Sequence, residues 1–267
     1  MNEPGPNADP RFVDYYAQAS TSEPTRRRFE STRRAAMALR EQMGLSNAAL
    51  DVVDVGCGAG AQSMLWANGG HRVFGIDISA PLIEVAQQRA EQSAPTARFA
   101  VGSATELPMA DASVDVVLLS ELLEHMSEWS PVVDEALRVL RPGGVLYLST
   151  TNRLCPIQDE FNLPAYSWYP SALKKVCERK AVTTHGHWVQ YASYPAVHWF
   201  SFYELRDYLD ARGFTAQDRF DVMDAGTSGL RAAVVGAVRK WAPLRFIGQV
   251  LTPYTMLVGI RRLAPKR

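Results

Sequence analysis

Gly56, Gly58 and Gly60 stand at alternate positions directly after Val52-Val53-Asp54-Val55, a β-branched run interrupted by one carboxylate. Such a run suits a buried strand. The glycines remove every second Cβ from the bend that follows, so a ligand can approach the backbone closely. Seventeen positions after Gly60, a second strand, His71 to Ile76, ends in Asp77. A bare turn after one strand and a carboxylate at the end of the next is how an α/β sheet holds a nucleoside. The backbone passes under the ligand, and two acceptor oxygens meet the ribose hydroxyls. The glycine spacing alone also fits a plain tight turn; Asp77 tips the reading toward a nucleoside cofactor.

Two cofactors share that geometry, a nicotinamide dinucleotide and S-adenosylmethionine. A dinucleotide fingerprint wants its third small residue one place later, to seat a pyrophosphate on a helix N-terminus, and Ala61 comes close to supplying it. Against a dehydrogenase, no Tyr precedes a Lys by four positions, and about fifty residues of charged, helix-patterned sequence come before the turn. Downstream, the pattern predicts a helix over Pro81 to Gln92, strands over Arg98 to Val101 and Ser113 to Ser120, and a helix from Ser130. Leu140 to Gly144 then reads as a turn into a strand over Val145 to Ser149. Strands alternating with helices imply a doubly wound α/β fold.

This succession resembles the class I S-adenosylmethionine-dependent methyltransferases over residues 50 to 151. The resemblance is carried by VVDVGCGAG, FGIDIS, ATELPMADASVDVVLLSELLEHM and LRPGGVLYLST. It implies a Rossmann-like, seven-stranded, mostly parallel sheet with helices on both faces, an antiparallel last strand and a helical, aromatic lid insertion. S-adenosyl-L-methionine would be the cofactor. Gly56, Gly58 and Gly60 would pass under its methionine part, Asp77 would hold the ribose and Ile78 would lie on the adenine face. Ser103 and Ala104 fall at the adenine edge and Ser120 faces the sulfonium region. Many relatives carry Asp where Ser103 stands, so weaker cofactor binding is expected, because neutral hydrogen bonds are roughly half as strong as charge-assisted ones. Asp54 either organises the glycine turn or contacts the cofactor, and Cys57 reads as a small residue that fits the bend. For a general base the resemblance to ubiquinone-biosynthesis methyltransferases favours His198, ahead of the helix from Ser201; His125, after a strand end, is second.

Composition narrows the classes. Lys and Arg number 28 and Asp and Glu 28, so no global field draws nucleic acid. Cys57, Cys155 and Cys177 form no C-x-x-C pair, which leaves neither a disulfide framework nor a zinc site to expect. The stretch MNEPGPNADP has no apolar secretion core and no apolar run reaches about eighteen residues; a cytoplasmic protein is expected. One domain over 1–267 is anticipated, with a helical cap (1–49), a cofactor-binding core (50–151), a lid insertion (152–200) and a C-terminal part of the sheet (201–267).

Substrate choice is expected in the flanks. Arg11 to Ala19 and Pro24 to Met43 read as helices, the second capped by Ser22 and stopped at Gly44. Arg26, Arg27, Arg28, Arg33, Arg34 and Arg40 give it a basic face, either solvated or a rim for an anionic substrate or lipid head group. The insertion is dense in aromatics, among them Phe161, Tyr166, Trp168, Tyr169 and Trp199, and holds three of the five histidines, His185, His187 and His198. Those residues fit an apolar or aromatic acceptor, or a satellite cluster that merely packs the lid; His185-Gly-His187 lacks an acidic or Cys partner at metal-ligand spacing. Ser201 to Ala211 reads as a helix with a Ser201–Glu204 capping box, Phe220 to Met223 as the sixth strand and Tyr254 to Ile260 as the closing one. Leu230 to Leu251 reads as a basic amphipathic helix kinked at Pro243, able to meet a membrane surface, a lipid-like acceptor or a second copy in a homodimer.

Overall fold

In a computed structural model the described residues are 10–94, 96–157, 161–184, 188, 196–223, 226 and 228–263. Five strands run parallel: β1 (Asp51–Val55), β2 (Arg72–Asp77), β3 (Ala97–Val101), β4 (Val114–Ser120) and β5 (Leu140–Thr151). β6 (Phe214–Asp218) and β7 (Tyr254–Arg261) complete a seven-stranded sheet of order β3-β2-β1-β4-β5-β7-β6, with β7 antiparallel to both neighbours. The order reverses between β1 and β4, so their carboxyl ends open a crevice, the usual ligand position in such a sheet.

Alternation along the strands decides which side chains meet which helices. Val52, Val73, Val116 and Leu118 point to one face and pack with α2 (Glu23–Gln42), α3 (Ala61–Ala67) and α4 (Ala80–Ser93). Val53, Val117, Leu119 and Leu146 point to the other, against α5 (Ser130–Val139) and α7 (Phe202–Asp210). Truncating one of these fully buried leucines to Ala would cost about 2–5 kcal/mol. α1 (Pro10–Ala19) precedes α2, whose N-cap Ser22 accepts from the Thr25 N–H, as its sequence predicts.

Several expectations are revised. Leu140 to Gly144 is part of β5, with Gly143 in the left-handed region (φ 76°) and a register shift opposite Val114 and Val116. The sixth strand lies at Phe214–Asp218, and Arg219–Val222 is instead the short helix α8. The cause is Asp218. Its carboxylate accepts from the Phe220 and Asp221 N–H groups while Asp221 accepts from the Asp218 N–H, a reciprocal cap that starts a helix where the apolar pattern alone suggests a strand. Ser201 accepts from the Glu204 N–H, but Glu204 pairs with Arg153, so only half of that predicted box forms. The segment after Ser228 is two helices, α9 (Gly229–Lys240) and α10 (Ala242–Val250), with Trp241 extended between them and Pro243 in the first turn of the second. Leu230, Trp241 and Leu251 stay exposed on them.

The insertion carries α6 (Ser171–Thr183) and its own core of Phe161, Tyr166, Cys177, Ala181, Ala196 and Trp199. Phe161 and Tyr166 stack with centroids 4.0 Å apart, and the Lys174 ammonium sits 4.2 Å from the Trp199 ring. These aromatics pack one another, as a satellite cluster would. His185 and His187 lie outside the described residues.

Candidate active site

The glycine turn is built by main-chain hydrogen bonds to the neighbouring strand. Gly56 and Cys57 N–H both donate to the Ile76 carbonyl, at 2.8 and 3.1 Å. Gly56, Gly58 and Gly60 all have positive φ (72°, 51° and 77°), which explains the choice of glycine. Their side-chain spaces differ. A Cβ on Gly60 would stand 2.8 Å from the Phe99 ring and 2.9 Å from the Ala86 methyl, so Gly60 lets α3 and α4 approach. A Cβ on Gly58 would meet nothing within 4 Å; above it the surface is open.

Asp77 joins the turn to the next helix. One of its oxygens accepts from the Gly58 N–H and the other from the Ser79 N–H, each at 2.8 Å. Burial raises its pKa above the ordinary carboxylate value, against the pull of those main-chain donors. Asp54 is more deeply placed, 2% exposed, and accepts from the Ser63 hydroxyl at 2.6 Å. It thereby holds the first turn of α3 rather than the glycines. Desolvation raises its pKa to about 6, with the Ser63 hydrogen bond opposing and the Asp77 charge adding to the rise.

The opposite wall comes from the end of β4. Ser120 Oγ is buried without a hydrogen-bond partner, an unmade bond that ordinarily costs about 1–3 kcal/mol. Glu121 follows with φ 52°, and a 3-10 turn (Leu123–His125) presents His125. Glu124 within that turn is fully buried, accepting from the Thr150 hydroxyl at 2.6 Å, and its carbonyl receives the N–H groups of Val197 and His198.

A cavity of about 420 Å³ lies between the two walls. Asp54, Gly56, Gly58, Ser120 and His125 line it among the residues the sequence singles out. Gly60, Asp77, Ile78, Ser103, Ala104 and His198 do not. Asp77 stands behind Gly58, and Ile78 is 73% exposed beside it. Ser103 Oγ is engaged with the Thr105 hydroxyl and N–H, and Ala104 is half-buried against the core. His198 Nε2 donates to the Ser127 carbonyl at 3.2 Å. Arg28, which the sequence places on the basic face of α2, also lines it, with Phe29, Gln62, Glu121 and Tyr254, which the sequence reading missed. Gln62, two residues past the last glycine, and Glu121, next to Ser120, had local signals; Phe29 and Tyr254 arrive through tertiary packing.

A family model described as a methyltransferase domain matches residues 53–148, the stretch that builds both walls. That match covers the stretch in which the sequence resembles the class I S-adenosylmethionine-dependent methyltransferases. The chain is 42% identical over 104 residues to a Mycolicibacterium smegmatis protein named as a probable S-adenosylmethionine-dependent methyltransferase, covering 39% of each. It is 32% identical over 166 residues to a ubiquinone biosynthesis O-methyltransferase of Cupriavidus pinatubonensis, covering 61% of this chain and 64% of that one. The matched part is thus about two fifths of the first relative's length and under two thirds of the second's. The solved structure of an S-adenosylmethionine-dependent methyltransferase from Mesorhizobium loti superposes with TM-score 0.54 at 16% identity, over 85% of this chain and 98% of that one; it shares the fold.

S-adenosylmethionine is the cofactor the matched domain implies, and residues about the glycine turn, inside the cavity and beside it, fit it. The backbone over Gly58 is open, an unbonded hydroxyl lies in the lining at Ser120, and the Asp77 carboxylate stands behind the turn, outside the lining. Each Asp77 oxygen accepts from one main-chain N–H, and a carboxylate oxygen has a second acceptor position.

Proposed function

We propose that this protein transfers the methyl group of S-adenosylmethionine to a small apolar or aromatic acceptor, on oxygen. The observation that carries the proposal is the buried, unbonded Ser120 hydroxyl facing the open glycine turn across one cavity inside the matched domain. When bound, the cofactor supplies a methyl group activated on a sulfonium sulfur. The residues' share is then alignment: the glycine turn beneath the methionine part, Asp77 on the ribose, Ile78 against the adenine and Ser120 near the sulfur. Holding donor and acceptor in line is worth on the order of 7–11 kcal/mol at best. An acceptor hydroxyl must also lose a proton, and a placed histidine adds roughly 10²–10⁴-fold. His125, which lines the cavity, is the better supported base. His198, favoured by sequence, is held to the Ser127 carbonyl and would act by fixing the turn that carries His125.

The proposal treats 1–267 as one domain, because strands from both halves join a single sheet. Turnover tests it: methyl-labelled S-adenosylmethionine is incubated with the protein and a panel of phenols and hydroxy acids. Label in any acceptor supports transfer. Adenosylhomocysteine binding with no label in the acceptors or in the protein itself would instead indicate a binding subunit that keeps the pocket without turnover.

A further inference from the structure

A second, larger cavity of about 910 Å³ runs between α2, the outer faces of β5 and β7, and the α8–α9 corner. It meets the cofactor cavity at Arg28 and Tyr254, which line both. Five arginines, Arg27, Arg28, Arg34, Arg219 and Arg231, face it against one acid, Glu41. Arg27 is neutralised by Glu23 at 2.7 Å, and Arg34 comes within 3.9 Å of Glu30. Among the described residues, no carboxylate lies within ion-pair distance of Arg28, Arg219 or Arg231.

Arg219 is the most informative of these. Its Nη2 donates to the Tyr254 carbonyl at 2.6 Å and its guanidinium lies 5.3 Å from the Tyr254 ring, yet its Nε is buried with no hydrogen-bond partner. The neighbouring acid Asp218 is committed to Arg245 and Gln249. A guanidinium that gives up water without gaining an anion is costly, and its planar fork matches phosphate or carboxylate. Met37, Met223, Met256, Tyr147 and Val222 give the wall an apolar, adaptable stretch, beside the hydroxyls of Ser31, Thr32 and Ser149.

We propose that this groove receives an amphiphilic anion, an acceptor whose phosphate or carboxylate sits on Arg219 and Arg231 while its apolar body lies on the methionines. Its reacting end enters the cofactor cavity past Arg28. The inference rests on the methyl-transfer reading and narrows its acceptor to one bearing a negative charge.

Calorimetry on the full chain, saturated with adenosylhomocysteine, tests it with decyl phosphate, decanoate and neutral decanol as probes. One of the two anions should bind with 1:1 stoichiometry at least tenfold tighter than decanol and weaken as salt rises; whichever is tighter identifies the head group. Arg219→Gln should weaken that anion tenfold or more while adenosylhomocysteine affinity stays within twofold, and Arg219→Lys should restore part of the loss. Equal binding of decanol and both anions, no binding of any probe, or an Arg219→Gln protein that binds the anion normally would each overturn the inference while the cofactor site stands. If Arg219→Gln does not fold, the comparison of anions with decanol on the unaltered protein decides. Absence of adenosylhomocysteine binding would instead defeat the methyl-transfer reading.

Discussion

At the scale of single residues, the site is a set of groups whose surroundings press them away from ordinary behaviour. Asp77 carries the ribose contact in the proposed reading, and charge-assisted hydrogen bonds are worth about 1.5–3 kcal/mol each. Asp77→Ala should therefore weaken adenosylhomocysteine binding by one to two orders of magnitude in calorimetry, with the far-ultraviolet circular dichroism unchanged. Asp54 makes a different prediction. Its folded pKa, raised to about 6 by burial, exceeds the unfolded value, so the native state binds the extra proton. Its contribution to stability is complete below about pH 4 and is lost as pH rises through 6, a change of about 3 kcal/mol. Asp77 is shifted in the same direction by the same cause. Asp54→Asn should flatten that part of the stability-versus-pH curve measured by urea unfolding; an unchanged slope would show that Asp54 ionises normally. His125→Ala should lower kcat by about 10²–10⁴-fold with cofactor affinity intact, and His198→Ala should cost distinctly less. The reverse ranking in steady-state rates would make His198 the base.

At the scale of elements, local pattern and local capping decided what sequence could reveal. The β-branched runs and glycines of 50–151 announce themselves because both faces of a parallel sheet are covered and its strands must be apolar. The sixth strand lies at Phe214–Asp218 rather than Phe220 to Met223 because the Asp218–Asp221 cap, a local signal set against the apolar pattern, starts a helix there. The glycine turn offers a matched pair of tests. Gly60→Ala drives a methyl into Phe99 and Ala86 at a positive φ and should destabilise by about 2–4 kcal/mol in denaturant titration. Gly58→Ala meets open space and should cost only about 1–2 kcal/mol, yet it should weaken adenosylhomocysteine binding more than Gly60→Ala does relative to its effect on folding. Equal stability losses would mean that Gly60 is not a packing constraint.

At the scale of the whole molecule, one sheet brings together what lies far apart in sequence. The cofactor cavity takes its floor from the turn after β1, one wall from the end of β4 and its cover from α2 and the start of β7. The first two carry short-range signatures and were legible. Phe29 and Tyr254 were not, because nothing local ties a helix near the N-terminus or the opening residue of a closing strand to a glycine turn between them; Arg28 stood out only as part of a basic helix face. Of the two readings the lid aromatics allow, acceptor pocket or satellite cluster, Phe161, Tyr166 and Trp199 follow the second and pack into their own core. The most direct measurement is calorimetric titration of the intact protein with adenosylhomocysteine and, separately, with NAD. Saturable one-site binding of adenosylhomocysteine, weakened by one to two orders of magnitude in Asp77→Ala, and no heat from NAD is the predicted result. Binding of NAD with none of adenosylhomocysteine would contradict the account.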